Sequence, residues 1–157
     1  MNKLSNVILL AFASLTISSY AAPPTVITSL PFNITIPGKY VLNQNLSSTS
    51  IAAIVISSGD VTLDLNGYTI TGPGQNGFKG FGIEATNGNS VIPVSHIIIK
   101  NGTLANFREG VILFESLGSA PFGVTDSVVR NITISKDLII QGAVEGNVVV
   151  NSKDVTP

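Results

Sequence analysis

Apolar residues in this chain come in short bursts, some of them alternating with polar ones. The bursts are FNITI (32–36), KYVL (39–42), AAIVI (52–56), DVTLDL (60–65), YTI (68–70), GIEA (82–85), HIIIK (96–100), GVILFE (110–115), SVVRNITI (127–134), DLIIQ (137–141) and NVVV (147–150). Val, Ile and Thr dominate them, and Gly, Asn, Ser or Pro separate most of them. That is strand chemistry punctuated by turn residues. No window longer than a few residues carries the period of a helix. The pattern predicts an all-β chain with strands of roughly 3–6 residues. Within DVTLDL, alternation puts Val61, Leu63 and Leu65 on one face and Thr62 and Asp64 on the other. Asn66-Gly67, which follows, is the strongest short-range signal for a hairpin.

The remaining corners argue against a hairpin there. Strands AAIVI, FGIEA, EGVIL and DLIIQ align on Ile54, Ile83, Val111 and Ile139, at spacings of 29, 28 and 28 residues. After each comes a second run that ends in Asn66, Asn101, Asn131 or Asn151, and in the first three units a third run follows (YTI, TLA, ITI). Gly follows only Asn66 and Asn101, so what recurs is the Asn. The order strand, strand, Asn corner, strand resembles one coil of a right-handed parallel β-helix. About four to five such coils fit here, each too small to bury its inward face alone. Asn suits the corner because it tolerates a left-handed backbone. Its amide also bonds to an Asn stacked above it, an arrangement expected to bury these side chains.

DVTLDLNGYTITG (60–72) and HIIIKNGTLANF (96–107), with IPGKYVLNQNL (36–46) upstream, resemble the opening coils of the parallel β-helix repeat proteins of the pectin-lyase-like superfamily. The resemblance runs from about Ile34 to Asn151. It implies a fold more than an activity, because the superfamily spans polysaccharide lyases, pectin esterases, polygalacturonases, phage tailspikes and adhesins. Its lyases typically pair a carboxylate-bound calcium with an Arg or Lys base. Here Arg108 and Arg130 are the only arginines, and the spaced Asp motifs of polygalacturonases are missing. The expectation is therefore a non-catalytic module that binds a glycan or another surface, with no cofactor. The alternatives are a carbohydrate-active enzyme (lyase or hydrolase) and a structural or adhesive segment; calcium belongs only with the lyase. The family's enzymes usually carry more coils, and this chain ends on DVTP (154–157) soon after a strand-like run. A shortened relative of a longer protein, or self-association through an uncapped solenoid end, is expected.

Composition narrows the setting. Lys3, the apolar run Val7 to Ile17 and the small residues Ser19 and Ala21 read as a cleaved signal peptide over residues 1–21, leaving residues 22–157 as one domain. The apolar run falls short of the ~20 residues of a membrane span. A secreted or periplasmic product is expected. Cleavage removes Lys3 and leaves seven basic against nine acidic residues, a net charge of −2. Charged residues make up 11% of the chain and form no basic block, which argues against a nucleic-acid partner. The absence of Cys excludes disulfides, thiol catalysis and Cys-based metal sites.

Asp64, Lys100 and Arg130 are the first candidates for chemistry. On successive coils they would face outward in one row, either as a sugar-binding face or as a charge ladder that keeps the sheet soluble. Asp64 stands two residues before its Asn, whereas Lys100 and Arg130 stand one before theirs, so Leu65 reads as an extra corner residue. Phe78, Phe81 and Phe122 fall in glycine-containing loops between strands, where they stack on a sugar or pack the loop. His96 is the only histidine, with no partner motif, and is expected to have neither a catalytic nor a metal role. Sequons at Asn33, Asn45, Asn101 and Asn131 read as by-products of an Asn- and Thr-rich composition.

Overall fold

The computed structural model describes residues 22–74, 80–86, 94–113, 124–134, 139–140, 148–150 and 153–154. Residues 1–21, expected above to be a signal peptide, and Phe78, Phe122 and Asn151 lie outside the described residues. Among the described residues every regular element is a strand. In chain order they are β1 (Thr25–Ile27), β2 (Phe32–Ile34), β3 (Gly38–Leu42), β4 (Leu46–Ser47), β5 (Ala52–Ile56), β6 (Val61–Asp64), β7 (Thr69–Thr71) and β8 (Phe81–Ala85). They continue as β9 (Val94–Ser95), β10 (Ile98–Ala105), β11 (Glu109–Leu113), β12 (Val124–Thr125), β13 (Val128–Ile134), β14 (Ile139–Ile140), β15 (Val148–Val150) and β16 (Lys153–Asp154).

The main sheet runs β1-β3-β6-β10-β13-β15, with β4, β7 and β16 joined to it, and the second runs β14-β11-β8-β5-β2. β9 and β12 form a small pair of their own. Neighbours in each sheet are parallel and distant in sequence, so the chain visits both sheets before returning to pair with itself. This is an all-β, repeat-like stack of parallel strands, compatible with a β-solenoid.

Asn66-Gly67 is a turn without being a hairpin. Asn66 (φ 53°) and Gly67 (φ 81°) are both left-handed, and Tyr68 N–H donates to Leu65 O at 2.8 Å. That is the signature of a type I′ turn. Yet β6 pairs in parallel with β3 and β10, and β7 with β4 and β10, never with each other. The next coil takes the hydrogen bonds a hairpin would use: Leu65 N–H donates to Lys100 O and Gly67 N–H to Asn101 O, at 2.8 and 2.7 Å. Asp64 aligns with Lys100 and Thr69 with Thr103, so the first corner holds four residues where the second holds two. Leu65 is the fully buried member of that excess. It lies over Gly102, where a Cβ would collide with the Leu65 side chain and approach Tyr68 O at 2.8 Å. In the following coil the aligned residue is the buried Ile132.

Inward residues stack in like-on-like columns. Tyr40, Leu63, Ile99 and Val129 share one register, Ile34, Ile56, Ala85 and Leu113 another, and Leu46, Ile70, Leu104 and Ile134 a third. All but Leu46 are buried, Tyr40 with its hydroxyl donating to Ile36 O at 2.8 Å. Opposite the third column the second sheet has only small residues, Ala53, Gly82 and Gly110, all buried. A Cβ on Gly82 would lie 3.1 Å from Leu104 Cδ1, and one on Gly110 would collide with Ile134 Cγ2. Large and small columns thus interlock through the stack. Ile54, Ile83 and Val111 share a register, as their alignment in the sequence requires, but Ile139 pairs with Ile112 rather than Val111. The last interval is one residue shorter than sequence alignment gives it.

Candidate functional site

One register row crosses the outer face of the main sheet: Val26, Val41, Asp64, Lys100, Arg130 and Val150. It brings the three charged candidates side by side. Lys100 Nζ lies 2.9 Å from Asp64 Oδ2, and the two side chains are only 23% and 25% exposed. Asp64 Oδ1 also accepts from Asn66 N–H at 2.9 Å and from Asn101 Nδ2 at 3.1 Å. Burial alone pushes the Asp64 carboxyl up. The hydrogen bonds from Lys100, Asn66 and Asn101, with the Lys100 charge, outweigh it and hold the group below its ordinary value.

The corner residues form a ladder with a direction. Asn131 Nδ2 donates to Asn101 Oδ1 at 3.1 Å, and Asn101 Nδ2 donates to Asp64. A carboxylate only accepts, so Asp64 fixes the orientation of both amides. Asn66 is not a rung, because its amide turns back to Leu42 O at 3.2 Å and Asp64 takes its place. Asn66, Asn101 and Asn131 all have the left-handed backbone expected of them, with φ of 53°, 59° and 54°. Their side chains are not buried, contrary to expectation: Asn66 and Asn131 are exposed and Asn101 half-buried. The left-handed corner directs them up the outside of the stack.

Beside this row runs another of Lys39, Thr62, Ile98, Val128 and Val148. Ile98 and Val128 are half-buried, and Arg130 is exposed with no ion-pair partner among the described residues. The face therefore offers an aliphatic strip edged by a guanidinium and a paired carboxylate. Such a surface presents apolar and charged groups side by side.

The other candidates lie elsewhere. Phe81 opens β8 in the second sheet, half-buried, and is not brought together with the charged row. His96 occupies a second left-handed corner that sequence reasoning missed, built from Asp60, His96 and Asp126 (φ 55°, 59° and 49°). The available signal was a residue tolerant of that backbone just ahead of each VTLDL-type strand. His96 Nδ1 is 3.2 Å from Ser95 Oγ and 3.5 Å from Asp60 Oδ1. Both partners face the same ring nitrogen, whereas a hydrolytic triad needs them on opposite ones. Among the described residues no group of three metal-ligating side chains converges. Glu84 was also missed. It is half-buried on the outer face of the second sheet between Val55 and Ile112, without an ion-pair partner among the described residues, and burial pushes its carboxyl up.

Fold and site together define a class: an all-β chain of stacked parallel strands with a charged row on one outer face. Comparison of the chain with protein-family models, with curated proteins and with solved structures finds no match.

Proposed function

We propose that the chain is a secreted, right-handed parallel β-helix protein of the pectin-lyase-like kind. It serves as a non-catalytic module that binds a glycan or another surface through the outer face of the main sheet. The observation that carries this reading is the in-register row Asp64, Lys100 and Arg130 beside half-buried Ile98 and Val128. The handedness is supported by a general rule, since parallel strands joined within one sheet cross over right-handedly in about 98% of cases. Secretion rests on the leader-like residues 1–21.

Asp64 bears on catalysis. Its carboxylate is occupied by three donors and held ionised, which suits a structural anchor better than a proton carrier. The enzyme reading, a lyase or hydrolase, has Glu84 in its favour, because a carboxyl raised by burial is the usual form of a general acid. A glycosidase needs a second carboxylate across the scissile bond.

A glycan array decides the binding reading. Wild type is expected to retain at least one glycan class, and Arg130→Ala to weaken it by about 10-fold or more, one contact of roughly 1.4 kcal/mol, with an unchanged far-UV spectrum. Equal binding by both proteins contradicts the site. Incubation with polygalacturonate, with and without calcium, is expected to yield no unsaturated or reducing ends. Their appearance would establish the enzyme instead.

A further inference from the structure

The charged side chains of the described residues divide unevenly. Lys100 pairs with Asp64 at 2.9 Å, Arg108 with Glu109 at 3.5 Å, and His96 lies against Asp60. Lys39, Glu84, Asp126 and Arg130 make no ion pair. Of these four, Lys39, Asp126 and Arg130 are exposed and lose little by standing alone in water. Glu84 is half-buried, and a carboxylate partly removed from water without a partner carries a cost that an incoming cation relieves.

We infer that copies of this chain associate side by side, the outer face of the main sheet of one against the outer face of the second sheet of the next, with Arg130 of the first copy on Glu84 of the second. The inference goes beyond the glycan reading and does not depend on it. Three observations support this occupant. The charges are complementary, and the guanidinium is the group whose paired donors match a carboxylate. Both residues sit within rows of parallel strands, with aliphatic neighbours: Ile98 and Val128 near Arg130, Val55 beside Glu84. Both rows also repeat at the same interstrand spacing of about 4.8 Å, so the two faces match along the stack.

The contact is small. Ile112, next to Glu84 in its row, is 3% exposed although it lies outside the interior cluster, so the accessible part of that row among the described residues is Asn33, Val55 and Glu84. Weak association is therefore expected. Because two different faces meet, the arrangement is heterologous and adds copies in series rather than closing as a two-fold dimer. It differs from association through strand edges at the ends of the stack, which would use neither Glu84 nor Arg130.

Sedimentation velocity of the full chain, from about 10 μM to about 1 mM, tests this. Average mass is expected to rise with concentration and to rise less at high salt. Glu84→Arg and Arg130→Glu should each stay monomeric, and the double charge swap should restore association. Glu84→Gln, which is nearly the same shape, should weaken association and guards against misfolding of the reversal, with far-UV spectra as the check. Monomer at every concentration, association untouched by the single reversals, or a double swap that fails to restore it, each overturns the proposal.

Discussion

Gly110→Ala is expected to destabilise the protein by about 2 kcal/mol through overpacking, and Ile134→Ala by about 3 kcal/mol through a cavity. The double variant should cost clearly less than the two together. The reason is local. The three atoms nearest a Cβ at position 110 all belong to the Ile134 side chain, with Cδ1 and Cγ1 at 3.0 Å and Cγ2 closer. Truncating Ile134 removes every one of those atoms, and the new methyl occupies part of the space left behind. A favourable coupling of about 1 kcal/mol or more is the signature of two groups in direct contact. Gly82→Ala should behave differently. Its Cβ would lie 2.5 Å from the carbonyl oxygen of Gly110 as well as near Leu104. Leu104→Ala therefore leaves the backbone collision in place and should not rescue it. Urea denaturation of the two double-mutant cycles measures both outcomes. Simple additivity in the Gly110 cycle would contradict the interlocked columns.

The second large effect is expected at Asp64. Asp64→Ala strands Lys100, the Asn66 N–H and the Asn101 amide at once. Loss of about 2 kcal/mol at neutral pH is expected, since hydrogen bonds to charged groups are worth roughly 1.5–3 kcal/mol each in buried settings and less where water replaces them. Asp64→Asn should cost less. It keeps an oxygen for Asn101 and sets an amide nitrogen against Lys100. The pH dependence has a definite sign. The carboxyl is held below its ordinary 3.8 in the folded chain. Its contribution is therefore fully present above that value and lost as pH falls through the lower folded value. Below that point wild type and Asp64→Asn should converge in stability. A gap between them that stays constant from neutral pH down to acid would show that the charge is not what matters.

Fold class was largely legible in the sequence because stacking imposes a repeat, and a repeat survives in the order of strands and corners. The Asn at 66, 101 and 131 were read as corners and each has a left-handed backbone, and one of the two extra residues of the first corner, Leu65, was visible from the position of Asp64. Three features were not read. The small column Ala53, Gly82 and Gly110 sits one residue before each aligned Ile or Val, but its meaning appears only when Leu104 and Ile134 are seen facing it. The corner at Asp60, His96 and Asp126 was hidden because three different side chains serve one backbone need. The slip at Ile139 was hidden because GVILFE and DLIIQ offer equivalent apolar residues in two frames, and only pairing chooses between them. The charged row was anticipated, but not the way Asp64 closes the amide ladder. That depends on the wider first corner, which turns Asn66 away from the stack.

The parallel pairing of β6 with β10 separates a stack of coils from a chain that folds back at Asn66-Gly67. The chain has no cysteine, so engineered pairs report without interference. Thr62 and Ile98 are partners in the parallel register, within reach of a disulfide at about 4.8 Å between strands. A hairpin through the same type I′ turn would instead place Thr62 opposite Thr71. Oxidation of Thr62→Cys/Ile98→Cys and of Thr62→Cys/Thr71→Cys, each followed by peptide mapping, is the direct measurement. Rapid intramolecular cross-linking of the first pair and none of the second is the predicted result; cross-linking of the second pair alone would contradict the stacked fold.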